Sequence, residues 1–229
     1  MKVTRRTLGW LAAGALASVA GMAGATAKNW ATHVVRADGA HVIGNPKATR
    51  VLTEFVSYTC PHCGDFARTG DEALKLAHVG PGKLRLEIRH IVRDPVDLTA
   101  AMLTWCGDPA KFPRNHAAFM HAQPRWLSLA RSTTAAQRQR WSGGDLPTRL
   151  RAVASDLDFY QLMEGRGYTR VAVEKCLADT ARANALAANS DRDAKRFNVA
   201  GTPSFALDGE LLPDVHDWPT LEKRLRGDT

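Results

Sequence analysis

The segment Cys60-Pro61-His62-Cys63 constrains the fold of this chain more than any other stretch of its sequence. An apolar, β-branched run, 51–57, leads directly into it, and a stretch with helical spacing, 65–78, follows. Apolar residues on both phases of the run predict a buried central strand. Pro61 suits the first turn of a helix, where its missing N–H costs nothing. The two thiols are therefore expected at a strand-to-helix junction, one turn apart.

Two thiols at this spacing support two kinds of chemistry. They can close a small disulfide-bonded ring and exchange it with another protein, or they can bind zinc, which uses the same spacing. A structural zinc site needs four ligands, and Cys60, His62 and Cys63 supply three. No glycine-rich phosphate loop or Ser/His/Asp arrangement stands out. The sequence favours redox chemistry without a metal or cofactor, and a non-enzymatic metal-binding module is the weaker alternative.

The chain has four cysteines, which allow three pairings. Cys60 and Cys63 lie in one turn and should form the reactive pair, which leaves Cys106 and Cys176 for a structural disulfide. That bond would close a loop of about 70 residues and contribute roughly 4 kcal/mol in the loop-entropy model. The alternative is that Cys106 and Cys176 are two buried free thiols.

The N-terminus is typical of a secretory signal peptide over residues 1–27. Basic residues precede an apolar stretch, 8–22, and Ala25-Thr26-Ala27 is a cleavage pattern. The segment Thr4-Arg5-Arg6-Thr7-Leu8 also fits a twin-arginine export signal. An ordinary basic start for the general secretion route fits equally well. Either route predicts that the mature protein leaves the cytoplasm.

Charge and hydropathy narrow the class of protein further. The net charge is +8, or about +5 without the leader, and basic residues are interleaved with acidic ones. No basic block alternates with aromatic residues, which argues against nucleic-acid binding. No second apolar run approaches the roughly 18 residues of a membrane span, so a soluble mature protein is expected. About 200 residues suit one domain, or one domain with an insertion.

Periodicity divides the mature chain into three parts. Residues 28–50 are predicted to be a polar lead-in, and the alternation over 84–89 predicts a strand. From 96 to 188 the chain is alanine-rich and helical in period, with Asp97 as the expected N-cap of a helix that runs to Cys106. Further helices are expected near 115–129, 148–163, 169–177 and 179–196.

Strand patterns return only near the C-terminus. Residues 204–207 form a short predicted strand, and Asp208-Gly209 is a strong hairpin turn. Residues 210–212 are the expected partner strand, and 218–226 is a final amphipathic helix. The predicted order is therefore β-α-β, a helical insertion, and α-β-β-α.

These residues together resemble the DsbA-like thiol–disulfide oxidoreductases, in particular those with a thioredoxin-4 type domain. The matching segments are Glu54-Phe-Val-Ser-Tyr-Thr-Cys-Pro-His-Cys63, the helical insertion, and Gly201-Thr-Pro-Ser-Phe205. The resemblance covers nearly the whole mature chain. It implies an α/β thioredoxin fold, with a central mixed sheet flanked by helices, split by an inserted all-helical domain. The thioredoxin-like parts would be 28–95 and 186–229, and the insertion 96–185.

The resemblance implies a periplasmic enzyme that donates the Cys60–Cys63 disulfide to reduced or unfolded exported proteins. It also implies reoxidation by a membrane, quinone-linked partner of the DsbB type. Related isomerases usually carry a separate dimerisation domain, and only about 20 residues precede the fold here, which favours a monomeric oxidase. Many DsbA-like oxidases have valine where this chain has Thr202. An isomerase or reductase of the same fold is therefore the alternative.

Within the motif, Cys60 is the expected nucleophile. It is placed at a helix N-cap, where free N–H groups and the helix dipole favour a thiolate. A stabilised thiolate favours the reduced protein and makes the disulfide a stronger oxidant. Cys63 is the expected resolving thiol. His62 would further favour the thiolate as a cation or donor, unless it is merely an exposed helix histidine.

The resemblance also assigns roles outside the motif. Glu54 matches the family's buried acid and would take the proton of Cys63, although a carboxylate paired with a lysine or arginine fits the position equally well. Thr202-Pro203 is expected to carry a cis peptide bond, to pack against the thiols and to offer backbone groups to an extended substrate. Weaker candidates for an apolar substrate groove, more plausibly core residues, are Phe119, Met120 and Trp126. Trp105 and Trp141 are also expected in the core or in a groove wall.

Overall fold

The computed structural model describes residues 28–227, so the predicted signal peptide lies outside the described residues. One mixed sheet organises the fold. Its strands are β1 (Val34–Ala37), β2 (Ala40–Gly44), β3 (Arg50–Val56), β4 (Leu84–His90), β5 (Ser204–Leu207) and β6 (Glu210–Leu211). Their order is β1-β2-β4-β3-β5-β6, with β3 parallel to β4 and the other pairs antiparallel. The predicted α/β thioredoxin fold is confirmed, and β3 is the buried central strand expected at 51–57.

The N-terminal hairpin was not predicted. The polar lead-in expected over 28–50 contains both β1 and β2, joined by Asp38 and Gly39 with φ values of 45° and 76°. Two-residue hairpins need positive φ at both turn positions, which an Asp-Gly pair supplies. That signal was present in the sequence. Strand β2 is buried along its whole length because it lies between β1 and β4.

The helical stretch after the thiols is broken where a single helix was expected. Helix α1 covers Pro61–Thr69, α2 covers Asp71–Leu74, and a π-helical turn follows at Lys75–Val79. The break falls at Gly70. A Cβ there would lie 2.8 Å from the Cβ of Trp218, so only glycine lets the chain approach so closely.

The middle of the chain is helical, as its period predicted. Its helices are α3 (Pro95–Thr104), α4 (Phe112–His121), α5 (Gln123–Arg131), α6 (Ala135–Ser142), α7 (Leu146–Asp156), α8 (Phe159–Gly165), α9 (Arg170–Leu177) and α10 (Thr180–Phe197). The single helices expected at 115–129 and 148–163 are each two helices, the second pair divided at Asp158, whose φ is 60°. Helix α6, which begins with a capping box at Thr134 and Gln137, was not predicted.

The expected N-cap role of Asp97 is wrong. Helix α3 begins three residues earlier, with Asp94 as the N-cap and Pro95 in the first turn. The Oδ1 atom of Asp94 accepts from the backbone N–H groups of Val96, at 2.8 Å, and Asp97, at 2.9 Å. The carboxylate of Asp97 is therefore free for contacts with the end of β3.

The C-terminal hairpin and helix agree with prediction. Asp208 and Gly209 form the turn between β5 and β6 with φ values of 53° and 92°, and helix α11 covers Trp218–Arg226. The Oδ1 atom of Asp208 accepts from the N–H of Val51 at 2.8 Å, which ties the turn to β3. No helix within the described chain is long and apolar enough to cross a membrane.

The predicted second disulfide is confirmed. Cys106, just after α3, is bonded to Cys176 in α9, with their Cα atoms 5.7 Å apart. The alternative of two free thiols at these positions is wrong. The proposed groove residues Phe119, Met120 and Trp126 are at most 2% exposed. They belong to the core, and the groove interpretation is wrong for them.

Candidate active site

The two thiols lie where the central strand gives way to a helix. Strand β3 ends at Val56, and Cys60 is the N-cap of α1, with extended backbone angles. The first-turn N–H groups of a helix have no partner within it, so this position concentrates donors and the positive end of the helix dipole. Both thiols are reduced. Cys60 is 4% exposed, and Cys63 is fully buried.

The environment separates the pKa values of the two thiols. The pKa of Cys60 is lowered to about 5, chiefly by a hydrogen bond from the Cys63 thiol, which outweighs the opposing effect of burial. Smaller contributions come from the Thr202 side chain, the Cys63 N–H and the positive charge of Arg93. Burial first, and then the neighbouring Cys60, raise the pKa of Cys63 well above its usual value. At neutral pH Cys60 is therefore a thiolate and Cys63 a thiol.

The loop opposite the thiols carries the expected cis peptide bond, between Thr202 and Pro203. The Sγ atom of Cys60 lies 3.0 Å from the carbonyl oxygen of Thr202. The Thr202 hydroxyl is buried and has no hydrogen-bond partner in the described part of the chain. On the other side of the loop, His216 donates to the carbonyl oxygen of Pro203 at 2.7 Å. The loop thus packs directly against the nucleophile.

Glu54 lies in the middle of β3, opposite Phe205 of β5, and is 2% exposed. Burial mainly, and the charge of Asp71 secondarily, raise its pKa to about 8, against the opposing charge of Lys75. Lys75 is paired with Asp71 at 2.6 Å. Among residues 28–227, Glu54 takes part in no ion pair, so the alternative of a paired carboxylate does not describe it. Its carboxyl group is protonated at neutral pH.

His62 lies on the outer surface of α1. Its side chain is 80% exposed, and its Nδ1 atom is 4.0 Å from the Oδ2 atom of Asp65. No hydrogen bond joins it to either thiol within the described residues. The structure therefore gives His62 the position of an exposed helix histidine, which was the alternative the sequence left open. Pro61 stands in the first turn, as expected.

Two polar residues whose role in the site sequence reasoning missed hold the turn between β3 and α1. Fully buried Asp97 accepts from the Ser57 hydroxyl at 2.5 Å and from the N–H of Tyr58 at 2.8 Å. Burial, against these hydrogen bonds, raises its pKa to about 7. Gln123 of α5 donates from Nε2 to the carbonyl oxygens of Tyr58 and Cys60, both at 2.7 Å. No local pattern marks these residues, because they meet the turn only through the tertiary fold.

Metal binding finds no support in this arrangement. Over the range 28–227, no three histidine, cysteine or acidic side chains are grouped so that they could hold a metal ion. The site consists instead of a stabilised Cys60 thiolate packed against a cis-proline loop, a buried Cys63 thiol, and a buried acid, Glu54, in the strand that leads to them. Together with the sheet topology, this defines a dithiol site of the thioredoxin class.

Comparison with known proteins identifies the family to which the chain belongs. The family model Thioredoxin_4, described as thioredoxin, matches residues 36–226, and the chain belongs to this family. A crystal structure of a protein-disulfide isomerase from Novosphingobium aromaticivorans is 46% identical, with a TM-score of 0.80, over 84% of this chain and 98% of that chain. The structure of Wolbachia pipientis alpha-DsbA1 shares the fold at 19% identity, with a TM-score of 0.64, over 84% and 92% of the two chains. The resemblance to DsbA-like proteins is confirmed.

Curated relatives agree with this assignment. A protein of Rickettsia typhi named "Putative protein-disulfide oxidoreductase" is 28% identical over 73% of this chain and 54% of its own length. A second, from Rickettsia conorii, is 27% identical over 75% of this chain and 54% of its own length. The chain thus spans about half the length of the curated relatives it matches.

Proposed function

We propose that this protein is a thiol:disulfide oxidoreductase that donates its Cys60–Cys63 disulfide to reduced proteins. The observation that carries the proposal is the split between the two thiol pKa values: about 5 for Cys60 and well above the usual value for Cys63. A stabilised Cys60 thiolate favours the reduced protein, so the oxidised protein readily gives up its disulfide. The names of the relatives support the same class of reaction.

The geometry supports the following exchange. A substrate thiolate attacks Cys60 Sγ, a substrate–Cys60 disulfide forms, and Cys63 leaves as a thiolate that takes up a proton. Glu54, protonated at neutral pH, is the proposed donor of that proton. A second substrate thiolate then attacks the substrate sulfur and expels Cys60, which leaves easily because its pKa is low. Two electrons pass from the substrate dithiol to the protein, which ends as the dithiol.

The Thr202-Pro203 loop is the proposed site for the substrate backbone. It lies against Cys60, and an extended substrate segment could pair with its backbone groups. Binding there would bring a substrate cysteine to the Sγ atom of Cys60, because the Thr202 carbonyl is 3.0 Å from that atom.

Disulfide isomerisation is the second candidate, because the 46% identical structure is that of a protein-disulfide isomerase. In that reaction the Cys60 thiolate attacks a wrong substrate disulfide, and a substrate thiolate later expels Cys60 with no net electron transfer. The same low pKa of Cys60 serves both reactions. The two candidates differ in whether the protein is supplied oxidised or reduced.

A refolding experiment with two substrates tests the proposal. The oxidised protein is mixed with a reduced, unfolded test protein, and the reduced protein with a scrambled, fully oxidised one. We expect the first mixture to recover native activity faster, with one substrate disulfide formed per Cys60–Cys63 disulfide consumed. Recovery in the second mixture alone would favour the isomerase, and recovery in neither would contradict both.

Cys60→Ala and Cys63→Ala are the matched variants. Cys60→Ala should be inactive in both mixtures. Cys63→Ala has no disulfide to donate, but with the scrambled, oxidised protein its Cys60 thiolate should open a substrate disulfide and accumulate as a mixed disulfide, visible by mass spectrometry. If Cys63→Ala were trapped through its other cysteines instead, the assignment of Cys60 as nucleophile would be wrong.

The protein is proposed to act in the periplasm as a monomer, with a DsbB-type membrane protein as its reoxidant. The support is the leader-like sequence over 1–27 and the family resemblance. Cell fractionation of the full chain, and of a chain without residues 1–27, tests the location. We expect only the full chain in the periplasmic fraction, and replacement of Arg5 and Arg6 by lysine should block export only if the twin-arginine route is used.

A further inference from the structure

The cation expected beside the nucleophile is not where the motif suggests. His62 is 80% exposed, with its ring towards Asp65 rather than Cys60. A second cation, Arg93, lies in the loop between β4 and α3 and reaches the turn that precedes Cys60 from the other side. Its Nε atom donates to the Ser57 hydroxyl at 3.0 Å, and its Nη2 atom lies 3.4 Å from the Thr59 hydroxyl.

The position of Arg93 is fixed by the same network that shapes this turn. Its backbone N–H donates to Asp97 at 3.1 Å, and Asp97 also accepts from the Ser57 hydroxyl. Its side chain is exposed to solvent and borders a surface cavity of about 240 Å³. The guanidinium is thus held in place and remains within reach of solvent ions.

Arg93 forms no direct ion pair with a neighbouring carboxylate among residues 28–227, because both nearby acids are engaged elsewhere. Asp94 uses Oδ1 to cap α3 and Oδ2 to accept from Thr59 at 2.7 Å. The other nearby acid, Asp97, has a pKa raised to about 7, mainly by burial, so its negative charge is incomplete at neutral pH. Arg93 therefore presents a positive charge to the start of α1.

We propose that Arg93, rather than His62, is the side-chain cation that stabilises the Cys60 thiolate. The role is electrostatic: Arg93 contacts the two hydroxyls before Cys60 and acts on the sulfur through its charge. The positive charge of Arg93 is one of the influences that lower the pKa of Cys60, after those of the Cys63 thiol, the Thr202 side chain and the Cys63 N–H. The inference rests on the proposed function, because it takes Cys60 as the nucleophile.

A charge effect and a hydrogen-bond effect can be separated by two substitutions. Arg93→Lys keeps the charge but loses the planar fork, whereas Arg93→Gln keeps donors but loses the charge. A single nearby charge is expected to move the pKa of a buried thiolate by about 0.5 to 1 unit. Salt weakens such an interaction, since the screening length falls to about 3 Å at 1 M ionic strength.

The test is the pH dependence of Cys60 alkylation by iodoacetamide in the reduced full chain, read by mass spectrometry at Cys60. We expect Arg93→Gln to raise the pKa of Cys60 by about 0.5 to 1 unit at low salt and by much less in 1 M NaCl. Arg93→Lys should remain within about 0.3 unit of the wild type. His62→Ser should do the same. Arg226→Gln, which removes a charge on α11 where Arg226 is paired with Glu222, is the matched control.

The outcomes separate this inference from the function it rests on. If the wild-type pKa of Cys60 is low but Arg93→Gln leaves it unchanged, Arg93 has no such role, and the proposed function stands. If His62→Ser raises the pKa of Cys60 by as much as is expected for Arg93→Gln, the inference is also overturned. This result can be obtained even if the Arg93 variants fail to fold. An equal increase in Arg93→Lys and Arg93→Gln, unaffected by salt, assigns Arg93 a purely structural role. A wild-type Cys60 that titrates near 9 contradicts both proposals.

Discussion

The molecule holds two cysteine pairs in two regions that are built differently. At the end of β3, Cys60 and Cys63 are free thiols three residues apart. Between α3 and α9, Cys106 and Cys176 are bonded across a sequence separation of 70. The first pair lies at a helix N-terminus, and Cys60 packs against the loop that carries the cis peptide bond. The second pair links the ends of two helices.

Both regions contain buried ionisable groups, but the directions of their pKa shifts differ. Near the first pair, the pKa of Cys60 is lowered to about 5, and that of Glu54 is raised to about 8, mainly by burial. Around Phe112, burial lowers the pKa values of three histidines to between about 2 and 3. These are His41, His90 and His116. Only the surroundings of the first pair therefore keep groups that exchange protons near neutral pH.

The largest expected effect on disulfide donation comes from a substitution in the first pair. Cys60→Ser should reduce disulfide donation to a reduced peptide by at least about 10³-fold, since an alcohol replaces the reacting thiolate. The rate is measured by the loss of peptide thiols under conditions where the oxidised protein is the only oxidant. The variant should remain folded, with an unchanged circular dichroism spectrum. Residual donation within tenfold of the wild type would show that another cysteine reacts.

Removing the second pair should lower the stability of the fold and leave disulfide donation almost unchanged. The double variant Cys106→Ala, Cys176→Ala should lose roughly 4 kcal/mol of unfolding free energy, because a loop of about 70 residues is no longer closed in the unfolded chain. Disulfide donation at 25 °C should stay within about threefold of the wild type. Urea unfolding and the peptide assay measure the two quantities. A stable but inactive double variant would mean that the second pair takes part in the chemistry.

Acid should destabilise the folded protein through these three buried histidines. The three histidines stay neutral in the folded protein but bind protons in the unfolded chain below pH 6.5, so stability falls as the pH drops from 6.5 towards 3. The upper limit is roughly 1.4 kcal/mol per pH unit for each histidine. His90→Leu should therefore unfold at a lower pH than the wild type. Exposed His121→Leu is the control, and identical acid midpoints for all three proteins would refute the linkage.

The smallest effect concerns proton supply in the first region. Glu54→Gln cannot protonate the departing Cys63, so donation at pH 7 should slow by roughly tenfold, less than usual for acid–base catalysis because water can replace it. The wild-type rate should fall towards that of the variant as the pH rises through about 8, where Glu54 loses its proton. Stopped-flow rates between pH 6 and 9 measure this. Parallel pH profiles for the two proteins would exclude Glu54 as the donor.

Local patterns explain why much of the fold could be predicted. The apolar run of β3, the position of Pro61 and the Asp208-Gly209 turn each specify their structure within a few residues. The N-terminal hairpin was missed because its strands are only four and five residues long, although Asp38-Gly39 marked the turn. Helix ends were less certain: Asp94 and Asp97 are both acceptable caps, and only Asp94 has Pro95 immediately after it.

Only those site residues that lie in or near one sequence motif, or that match a family motif, could be predicted. Cys60, Cys63 and Glu54 lie within ten residues of sequence, and Thr202-Pro203 was found by resemblance. Arg93, in the loop between β4 and α3, and Gln123, in α5, contact the same turn from distant parts of the sequence. No local sequence pattern therefore identifies them as site residues. The orientation of His62 depends on which side of α1 faces solvent, which is decided by packing and not by the motif.

The central claim is that the stabilised Cys60 thiolate makes the Cys60–Cys63 disulfide a donor. The most direct test is the reduction potential of this pair, measured by equilibration with glutathione and mass spectrometry of the trapped thiols. The account predicts a potential above about −200 mV, on the oxidising side of the protein dithiols. A potential near −270 mV or below would mean a reductant and would contradict the account.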